Sequence, residues 1–290
     1  MWRRAARPPH FFIKVSALPD KAHESKLLKP SPAMSPPRVI EFSEVSYRLP
    51  DSRELIHKLD LTIVRGETLV LLGRSGSGKT TTLKLINNLL IPTEGELRVD
   101  GRATKDWDVT RLRRMIGYVI QETGLFPHFT VARNIGLVPT IEKWHKEKIQ
   151  PRVNEMLQLV GLDPQLSARY PRELSGGQRQ RVGVARALAA DPPILLMDEP
   201  FAALDPVTRA ELQQEFSALQ QRLQKTVVFV THDLREALLL GTRIALMEEG
   251  KLVTVVTPKE FLQSSEPLVR KYISAFGNGE LNLSPAVRCL

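Results

Sequence analysis

The hydrophobic residues of this chain form short apolar runs and alternating segments, and the two arrangements predict different kinds of strand. Four short runs are mainly apolar and suit strands that are buried on both faces: residues 67–72, 116–120, 194–197 and 227–230. Two segments, Arg38–Tyr47 and Leu59–Val64, alternate between apolar and polar residues, which is typical of strands with one exposed face. Residues 96–101 are predicted to form a further strand and a turn.

Segments with helical spacing lie between these strands. They cover residues 81–90, most of 130–170, and 182–190. Pro151 and Pro164 are expected to interrupt helices in the second of these segments. Because strands and helices alternate along the chain, the sequence predicts an α/β fold.

The first 37 residues differ in composition from the rest of the chain. Residues 1–37 are rich in proline and in scattered basic residues, and they show no sustained periodicity. We expect them to be disordered, or to be an extension that precedes a true translation start at Met34. Residues 38–276 are expected to form the folded domain, and residues 277–290 a C-terminal tail.

Charge and cysteine content exclude some classes of protein. The formal charge is +9, but residues 1–33 hold seven Lys/Arg and two Asp/Glu, so the remainder has only 34 Lys/Arg against 30 Asp/Glu. This distribution does not favour nucleic acid as a partner. One cysteine, Cys289, cannot form a disulfide within the chain, which suits a reducing compartment. No apolar run approaches the ~20 residues of a membrane span.

The octapeptide Gly-Arg-Ser-Gly-Ser-Gly-Lys-Thr at residues 73–80 carries the strongest chemical signal. It fits the pattern G-x-x-x-x-G-K-[ST], in which glycines let backbone N–H groups point at phosphate oxygens. Lys79 supplies a positive charge for the outer phosphates, and the Thr80 hydroxyl is a suitable Mg²⁺ ligand. A strand before the loop and a helix after it favour this interpretation over a Gly/Ser-rich turn. The predicted phosphate-binding residues are Gly73, Arg74, Ser75, Gly76, Ser77, Gly78, Lys79, Thr80 and Thr81.

Five further segments follow the first strands in a defined order. They are Gln121 after a predicted strand, Leu174–Gln178 at the start of a helix, Asp198–Glu199 after an apolar strand, Ala203–Asp205, and Thr231–Asp233. With the loop at 73–80, they resemble the ATP-binding cassette (ABC) family of ATPases over residues 39–276. The resemblance implies a P-loop NTPase core with a mixed sheet, an antiparallel β subdomain and an inserted α-helical subdomain at about residues 122–182. It also implies ATP and Mg²⁺ as cofactors.

The resemblance implies a role for each polar residue of these segments. Asp198 orders Mg²⁺ beside Thr80, and Gln121 offers its amide to the metal or to the attacking water. Glu199 polarises that water as the general base. His232 contacts the γ-phosphate, and whether it senses the phosphate or shares the base role stays open. Taken singly, the carboxylates could be a solvated turn, the glutamine a surface residue and the histidine a core residue; the order of the motifs favours catalysis.

A second anion site is predicted where a serine and two glycines open a helix. It consists of Ser175, Gly176, Gly177 and Gln178. By the resemblance, this segment binds the γ-phosphate of ATP held by another subunit, and Asp205 lies in a loop that crosses the same interface. The expected assembly is a head-to-tail homodimer. Tyr47 is expected to stack on adenine, the alternative being a strand aromatic that packs in the core.

A single cassette without a membrane span resembles the separate ATPase subunits of importers. Such a subunit docks on membrane permeases at the cytoplasmic face of the plasma membrane, with a solute-binding protein as an indirect partner. The segment after Gln121, with Phe126, Pro127 and His128, is where the permease is expected; the alternative is an interior loop.

The amino-acid sequences of four segments resemble those of the ATPases of osmoprotectant importers, which take up glycine betaine, choline and similar quaternary amines. The segments are residues 86–95, 113–121, 124–128 and 137–139. Import of polar amino acids and export of a lipid or another solute are the alternatives. A cassette that acts on nucleic acid or ribosomes is a third reading, but such proteins usually have two cassettes or a long coiled-coil insertion.

Overall fold

The computed structural model describes residues 37–121 and 124–277. The strands in these residues are β1 Arg38–Arg48, β2 Glu54–Val64, β3 Thr68–Leu72, β4 Glu94–Val99, β5 Arg102–Ala103, β6 Ile116–Val119, β7 Ile194–Asp198, β8 Thr226–Thr231, β9 Arg243–Glu248 and β10 Lys251–Val256. The α-helices are α1 Lys79–Ile86, α2 Val109–Arg114, α3 Val131–Ile135, α4 Leu137–Ile141, α5 Lys146–Leu159, α6 Gly176–Leu188, α7 Pro206–Leu223, α8 Leu234–Leu240, α9 Pro258–Gln263 and α10 Pro267–Gly277. The predictions for residues 1–36 and 278–290 lie outside the described residues.

A six-stranded sheet runs in the order β10-β9-β3-β8-β7-β6. Five of its strands are parallel, and β10 pairs antiparallel with β9 at one edge. All five residues of β3 are buried. Leu69 and Leu71 belong to the core on one face of the sheet, whereas Val70 and Leu72 belong to the core on the other face. Burial on both faces explains why this strand is a continuous apolar run.

A four-stranded antiparallel sheet has the order β2-β1-β4-β5. In β1, the buried residues Ile40 and Phe42 flank the half-buried Glu41, as the alternating sequence predicts. These apolar residues share one core with α1 and with one face of β3. The predicted α/β class, with a mixed sheet and an antiparallel sheet, is confirmed.

Helices α3 to α6 lie between β6 and β7 along the chain, and α3, α5 and α6 contribute to the core on the other face of β3. The expectation that Pro151 interrupts a helix is wrong, because it lies inside α5. Proline removes one N–H donor at that point. The helix continues because its last turns bury Val153, Met156 and Leu157 against α6 and neighbouring elements, which outweighs one lost hydrogen bond.

The register of the parallel strands brings their carboxyl ends to one edge of the sheet. Leu72 at the end of β3 is paired with Thr231 at the end of β8. Asp198 at the end of β7 is paired with Val230, and Met197 is paired with Val119 of β6. The segments that follow these strands therefore meet at this edge. None of the helices described is long and apolar enough to cross a membrane.

Candidate functional site

The loop at residues 73–78 joins β3 to α1 and depends on glycine at two positions. Gly78 has a φ of 99°, and a Cβ there would lie 2.7 Å from Ile56 Cδ1. A Cβ on Gly73 would lie 2.4 Å from the carbonyl oxygen of Met247 in β9. A side chain is therefore excluded at Gly78 by the backbone conformation and at Gly73 by a clash with β9. The loop is pressed against the neighbouring strands, and its backbone is free to face the open side.

Lys79 is the first residue of α1 and is almost fully buried under this loop. Its Nζ donates to the carbonyl oxygens of Gly73 at 2.8 Å and Arg74 at 2.7 Å. Burial lowers the pKa of Lys79, and the negative charges of Glu199 and Asp198 oppose that shift. A buried ammonium held by two carbonyl oxygens, with the Ser77 hydroxyl 3.5 Å away, is well prepared to bind the oxygens of an anion.

Asp198 ends β7 beneath the same loop. Its Oδ1 accepts a hydrogen bond of 2.9 Å from the Thr80 hydroxyl, and the Tyr118 hydroxyl lies 3.5 Å from Oδ2. Burial raises the pKa of Asp198; the hydrogen bond from Thr80 opposes this shift, and the charge of Glu199 adds to it. A buried carboxylate with a raised pKa, next to a second carboxylate, is a place where a cation is stabilising.

Glu199 follows directly and has a φ of 43°, in the left-handed region. Its N–H donates to the Val230 carbonyl oxygen at 3.0 Å, so the strain is held in place by the sheet. Gln121 Nε2 lies 3.5 Å from Glu199 Oε2, and His232 Nδ1 lies 3.2 Å from the same oxygen. Two predicted catalytic side chains thus converge on one carboxylate oxygen of the third, and the three come from the ends of three strands.

These residues border one cavity of about 790 Å³ at the sheet edge. Its lining consists of Leu55, Gly73, Arg74, Ser75, Gly76, Gly78, Lys79, Thr80, Thr81, Gln121, Glu199, His232, Lys271, Tyr272 and Ala275. Loop N–H groups, a helix N-terminus and a buried ammonium on one wall suit phosphates. A carboxylate flanked by an amide and an imidazole on the facing wall suits activation of water.

The donor set also fits Mg²⁺, which prefers hard oxygen ligands and keeps several waters. Thr80 and Asp198 supply neighbouring oxygens. Among the residues that the structure describes, no group of three or more His, Cys, Asp or Glu forms a metal cluster. A metal held by one hydroxyl, one carboxylate, phosphates and water is compatible with that finding.

The predicted second anion site is built as an N-terminal cap. Ser175 Oγ accepts from the Gln178 N–H at 3.2 Å, and Gln178 Oε1 accepts from the Ser175 N–H at 2.9 Å. Ser175 and Gly176 are exposed, and none of the four residues of this segment lines the cavity. The exposed start of α6 is accessible from outside the chain, as a site for a partner's ligand requires.

Asp205 caps α7 next to this segment. Its Oδ1 accepts from the N–H groups of Val207 at 3.2 Å and Thr208 at 3.0 Å, and hydrogen bonds from Thr208 are the main cause of its lowered pKa. A Cβ on Gly177 would lie 2.6 Å from Thr208 Cγ2, so the starts of α6 and α7 are in close contact. The two exposed segments predicted to meet another subunit therefore form one surface.

Tyr47 is the predicted site residue that the structure places elsewhere. It is half-buried in β1, packs against the core of the antiparallel sheet and does not line the cavity. Adenine stacking on Tyr47 stays a prediction. Conversely, sequence reasoning missed Leu55, Lys271 and Tyr272, which reach the cavity from β2 and α10. No local motif marks them, since only the packing of these elements brings them to the loop.

Comparison with known proteins shows the family and the fold that this chain shares. The family model described as ABC transporter matches residues 56–202. The chain is 50% identical over 226 residues to the glycine betaine/carnitine/choline transport ATP-binding protein OpuCA of Bacillus subtilis (strain 168), covering 78% of this chain and 60% of that protein. It is 48% identical over 246 residues to the glycine betaine uptake system ATP-binding protein YehX of Escherichia coli (strain K12), covering 84% and 79%.

Two solved structures share the fold. The dimeric post-hydrolysis state of the ATP-binding cassette MJ0796 bound to ADP and Pi matches with a TM-score of 0.68 and 36% identity, covering 76% of this chain and 98% of that one. The cbiO1 protein of Clostridium perfringens, part of the transporter complex cbiONQ, matches with a TM-score of 0.73 and 28% identity, covering 83% and 96%. The predicted ABC ATPase fold is thereby confirmed. The chain belongs to the ABC transporter family, of which it carries the ATP-binding cassette.

Proposed function

We propose that this chain is the ATP-hydrolysing subunit of an importer for a small quaternary-amine osmoprotectant such as glycine betaine or choline. The observation that carries the enzymatic part is the convergence of Gln121 and His232 on Glu199 Oε2, opposite the phosphate-binding loop. The solute rests on the relatives, whose names give glycine betaine, carnitine and choline. The chain spans about 60% of the length of OpuCA, so activity, solute and partners are all part of the proposal.

Hydrolysis would use the residues as follows. Lys79 and the loop N–H groups bind the phosphates and neutralise their charge. Thr80 and Asp198 would hold Mg²⁺, which would supply positive charge against the negative charge of the phosphates. Glu199 accepts a proton from the water as its oxygen bonds to the γ-phosphorus, and the bond from that phosphorus to the bridging oxygen breaks, so that ADP and phosphate are the products. Gln121 and His232 fix the orientation of that carboxylate and of the γ-phosphate.

The dimer would complete each site from outside. Each cavity is open on one side, and the exposed N-terminus of α6 offers N–H groups to an anion that its own chain does not hold. Head-to-tail pairing would place that terminus, with Asp205 beside it, on the ATP bound by the partner subunit. The dimeric cassette bound to ADP and Pi, with 36% identity, supports this assembly.

A groove beside the segment after Gln121 would receive the permease at the cytoplasmic face of the plasma membrane. The groove has a volume of about 340 Å³ and is lined in part by Tyr118, Phe126, Leu137 and Val138. The buried amide of Asn134 fixes this segment, since it donates to three backbone carbonyl oxygens and accepts from the Phe126 N–H at 2.8 Å. A rigid loop that leaves Phe126 41% exposed suits a docking surface.

Docking can be tested by co-purification with the membrane permease of the proposed importer. Phe126→Asp is expected to reduce recovery of the complex at least about fivefold. Ile91→Asp is the matched control, because Ile91 is 67% exposed but does not line the groove. Equal recovery of both variants would argue against this surface.

Transport itself is tested by reconstituting the complex in vesicles. ATP is supplied on the side of the membrane that carries the ATPase subunits, which corresponds to the cytoplasm. Uptake of labelled glycine betaine or choline, but not of polar amino acids, is the expected result, and Glu199→Gln should abolish it. Preferential uptake of polar amino acids would show that they, and not a quaternary amine, are the transported solute. Export would reverse the proposed direction, and no nucleotide-dependent movement of any of these solutes would contradict the transport proposal.

A further inference from the structure

Glu236 in α8 is a buried carboxylate outside the proposed chemistry. It is 4% exposed and has two hydrogen-bonding partners. Its Oε2 accepts from the Thr231 hydroxyl at 2.5 Å, and its Oε1 accepts from Gln213 Nε2 at 2.9 Å. Burial raises its pKa, and the hydrogen bond from Thr231 opposes the shift. A group that is costly to bury and that bonds two different elements has a positioning function worth identifying.

The contact with Thr231 acts on the backbone around His232. The Thr231 hydroxyl donates to Glu236 and accepts from the Asp233 N–H at 3.0 Å. Both neighbours of His232 are therefore held by one hydroxyl. The His232 side chain is 59% exposed, and Glu199 is its hydrogen-bond partner. With little packing around the ring, its position depends on the backbone that Glu236 holds.

The contact with Gln213 reaches the segment that leads into Asp205. Gln213 lies one turn after Arg209 in α7. The Arg209 guanidinium donates through Nη2 to the Ala202 carbonyl oxygen at 3.3 Å and to the Leu204 carbonyl oxygen at 3.0 Å. Helix α7 thus holds residues 202–205 through Arg209 and, one turn later, holds Glu236 through Gln213.

We propose that Glu236 is a positioning residue that holds the turn of His232 and ties it, through α7, to the segment of residues 202–205. The functional consequence of this inference rests on the proposed ATP hydrolysis. In that proposal, His232 lies at the γ-phosphate and residues 202–205 belong to the surface that faces the partner subunit, so the tie links the two. A displacement of residues 202–205 on dimer formation would move His232, and loss of the tie would uncouple the two.

The test uses the full chain and two readouts. For Glu236→Gln, kcat for MgATP is expected to fall about tenfold with KM changed less than about twofold. Hydrogen exchange is expected to rise in residues 202–208 and in residues 231–237 together. Hydrogen exchange does not depend on hydrolysis. A wild-type chain without ATPase activity would therefore contradict the proposed function, while the exchange measurement would still test whether Glu236 connects the two segments.

Two further variants separate positioning from plain destabilisation. Gln213→Glu combined with Glu236→Gln exchanges the carboxylate and the amide, keeps the hydrogen bonds and should return kcat to within about threefold of wild type. Glu67→Gln also alters a buried carboxylate, one that accepts from Arg243 at 2.8 Å, but at the opposite end of β3. It should lower Tm and leave kcat within about twofold.

Three outcomes would overturn the inference. They are an unchanged kcat in Glu236→Gln, a kcat loss no larger than that of Glu67→Gln, and faster exchange confined to residues 231–237. Failure of the exchanged pair to recover activity would contradict the tie through Gln213.

Discussion

The Thr80 hydroxyl donates a hydrogen bond of 2.9 Å to Asp198 Oδ1, although the two residues lie 118 positions apart. The bond joins the first turn of α1 to the end of β7. It brings a neutral donor to a carboxylate whose pKa is raised by burial, and it places two oxygen ligands beside the phosphate-binding loop. Two pieces of the predicted site that are distant in sequence are thus in direct contact.

Replacing Lys79 with alanine should remove nucleotide binding. The ammonium has no charged partner within the loop, where it is held by carbonyl oxygens, so its charge is available to the phosphates. Titration calorimetry should show MgATP affinity lower by at least about 100-fold, equal to about 2.7 kcal/mol. Lys105→Ala, on the exposed surface, is the control and should bind as wild type. Tight binding by the Lys79 variant would rule out the predicted phosphate site.

Glu199→Gln should separate binding from hydrolysis. The amide keeps the shape and one acceptor but cannot take a proton, so hydrolysis should slow by at least about 100-fold while MgATP still binds. Light scattering with MgATP should then show a persistent dimer, because the bound nucleotide is not consumed. Glu249→Gln, an exposed residue in the turn after β9, should behave as wild type. Normal turnover by Glu199→Gln would show that another group is the base.

Asp198→Asn should stabilise the metal-free protein at neutral pH. Since the folded-state pKa is raised from the ordinary value of 3.8, the ionised carboxylate is less favourable in the folded chain than in the unfolded chain. At pH values above the one at which the carboxyl ionises, removing the charge therefore raises Tm. The gain disappears at lower pH, where the carboxyl is protonated in both the folded and the unfolded state. Thermal unfolding in EDTA across pH 3–8 measures this difference. A lower Tm for the variant at pH 7 would contradict the sign.

The same variant should lose the stabilisation by Mg²⁺ and ATP. In wild type, binding to the folded state alone raises Tm by mass action. Without the carboxylate at position 198 the added effect of Mg²⁺ over ATP alone should fall to near zero. A full Mg²⁺ effect would remove Asp198 from the proposed ligands.

Gly176 and Gly177 offer a matched pair at the start of α6. A Cβ at Gly177 meets Thr208 Cγ2 at 2.6 Å, so Gly177→Ala should lower the free energy of unfolding by about 1–3 kcal/mol. A Cβ at Gly176 has no atom nearer than 3.9 Å, so Gly176→Ala should fold normally. If the α6 terminus binds a partner's nucleotide, that second variant should still lose cooperative hydrolysis. Chemical denaturation and ATPase titrations separate the two, and a stable, fully cooperative Gly176→Ala would argue against the shared site.

Local sequence was enough to predict the elements that carry the chemistry. The loop at residues 73–80 and the carboxylates after residues 194–197 are recognisable because glycine conformation and strand burial act over a few residues. The fate of Pro151 shows the limit of that reasoning. A local rule ends the helix there, but burial of Val153 and Met156 against distant elements keeps it intact.

The sequence by itself predicted which residues bind phosphate, because the glycine-rich loop is a local motif, and its order of motifs, through the resemblance to ABC ATPases, predicted which residues activate water. Only the tertiary structure decided that Gln121 and His232 meet at one oxygen of Glu199, that Tyr272 of α10 reaches the cavity while Tyr47 does not, and that Glu236 connects α8 to α7. The reason is physical. Strand register and helix packing bring together residues that are far apart along the chain, and no local pattern encodes a distance of that kind.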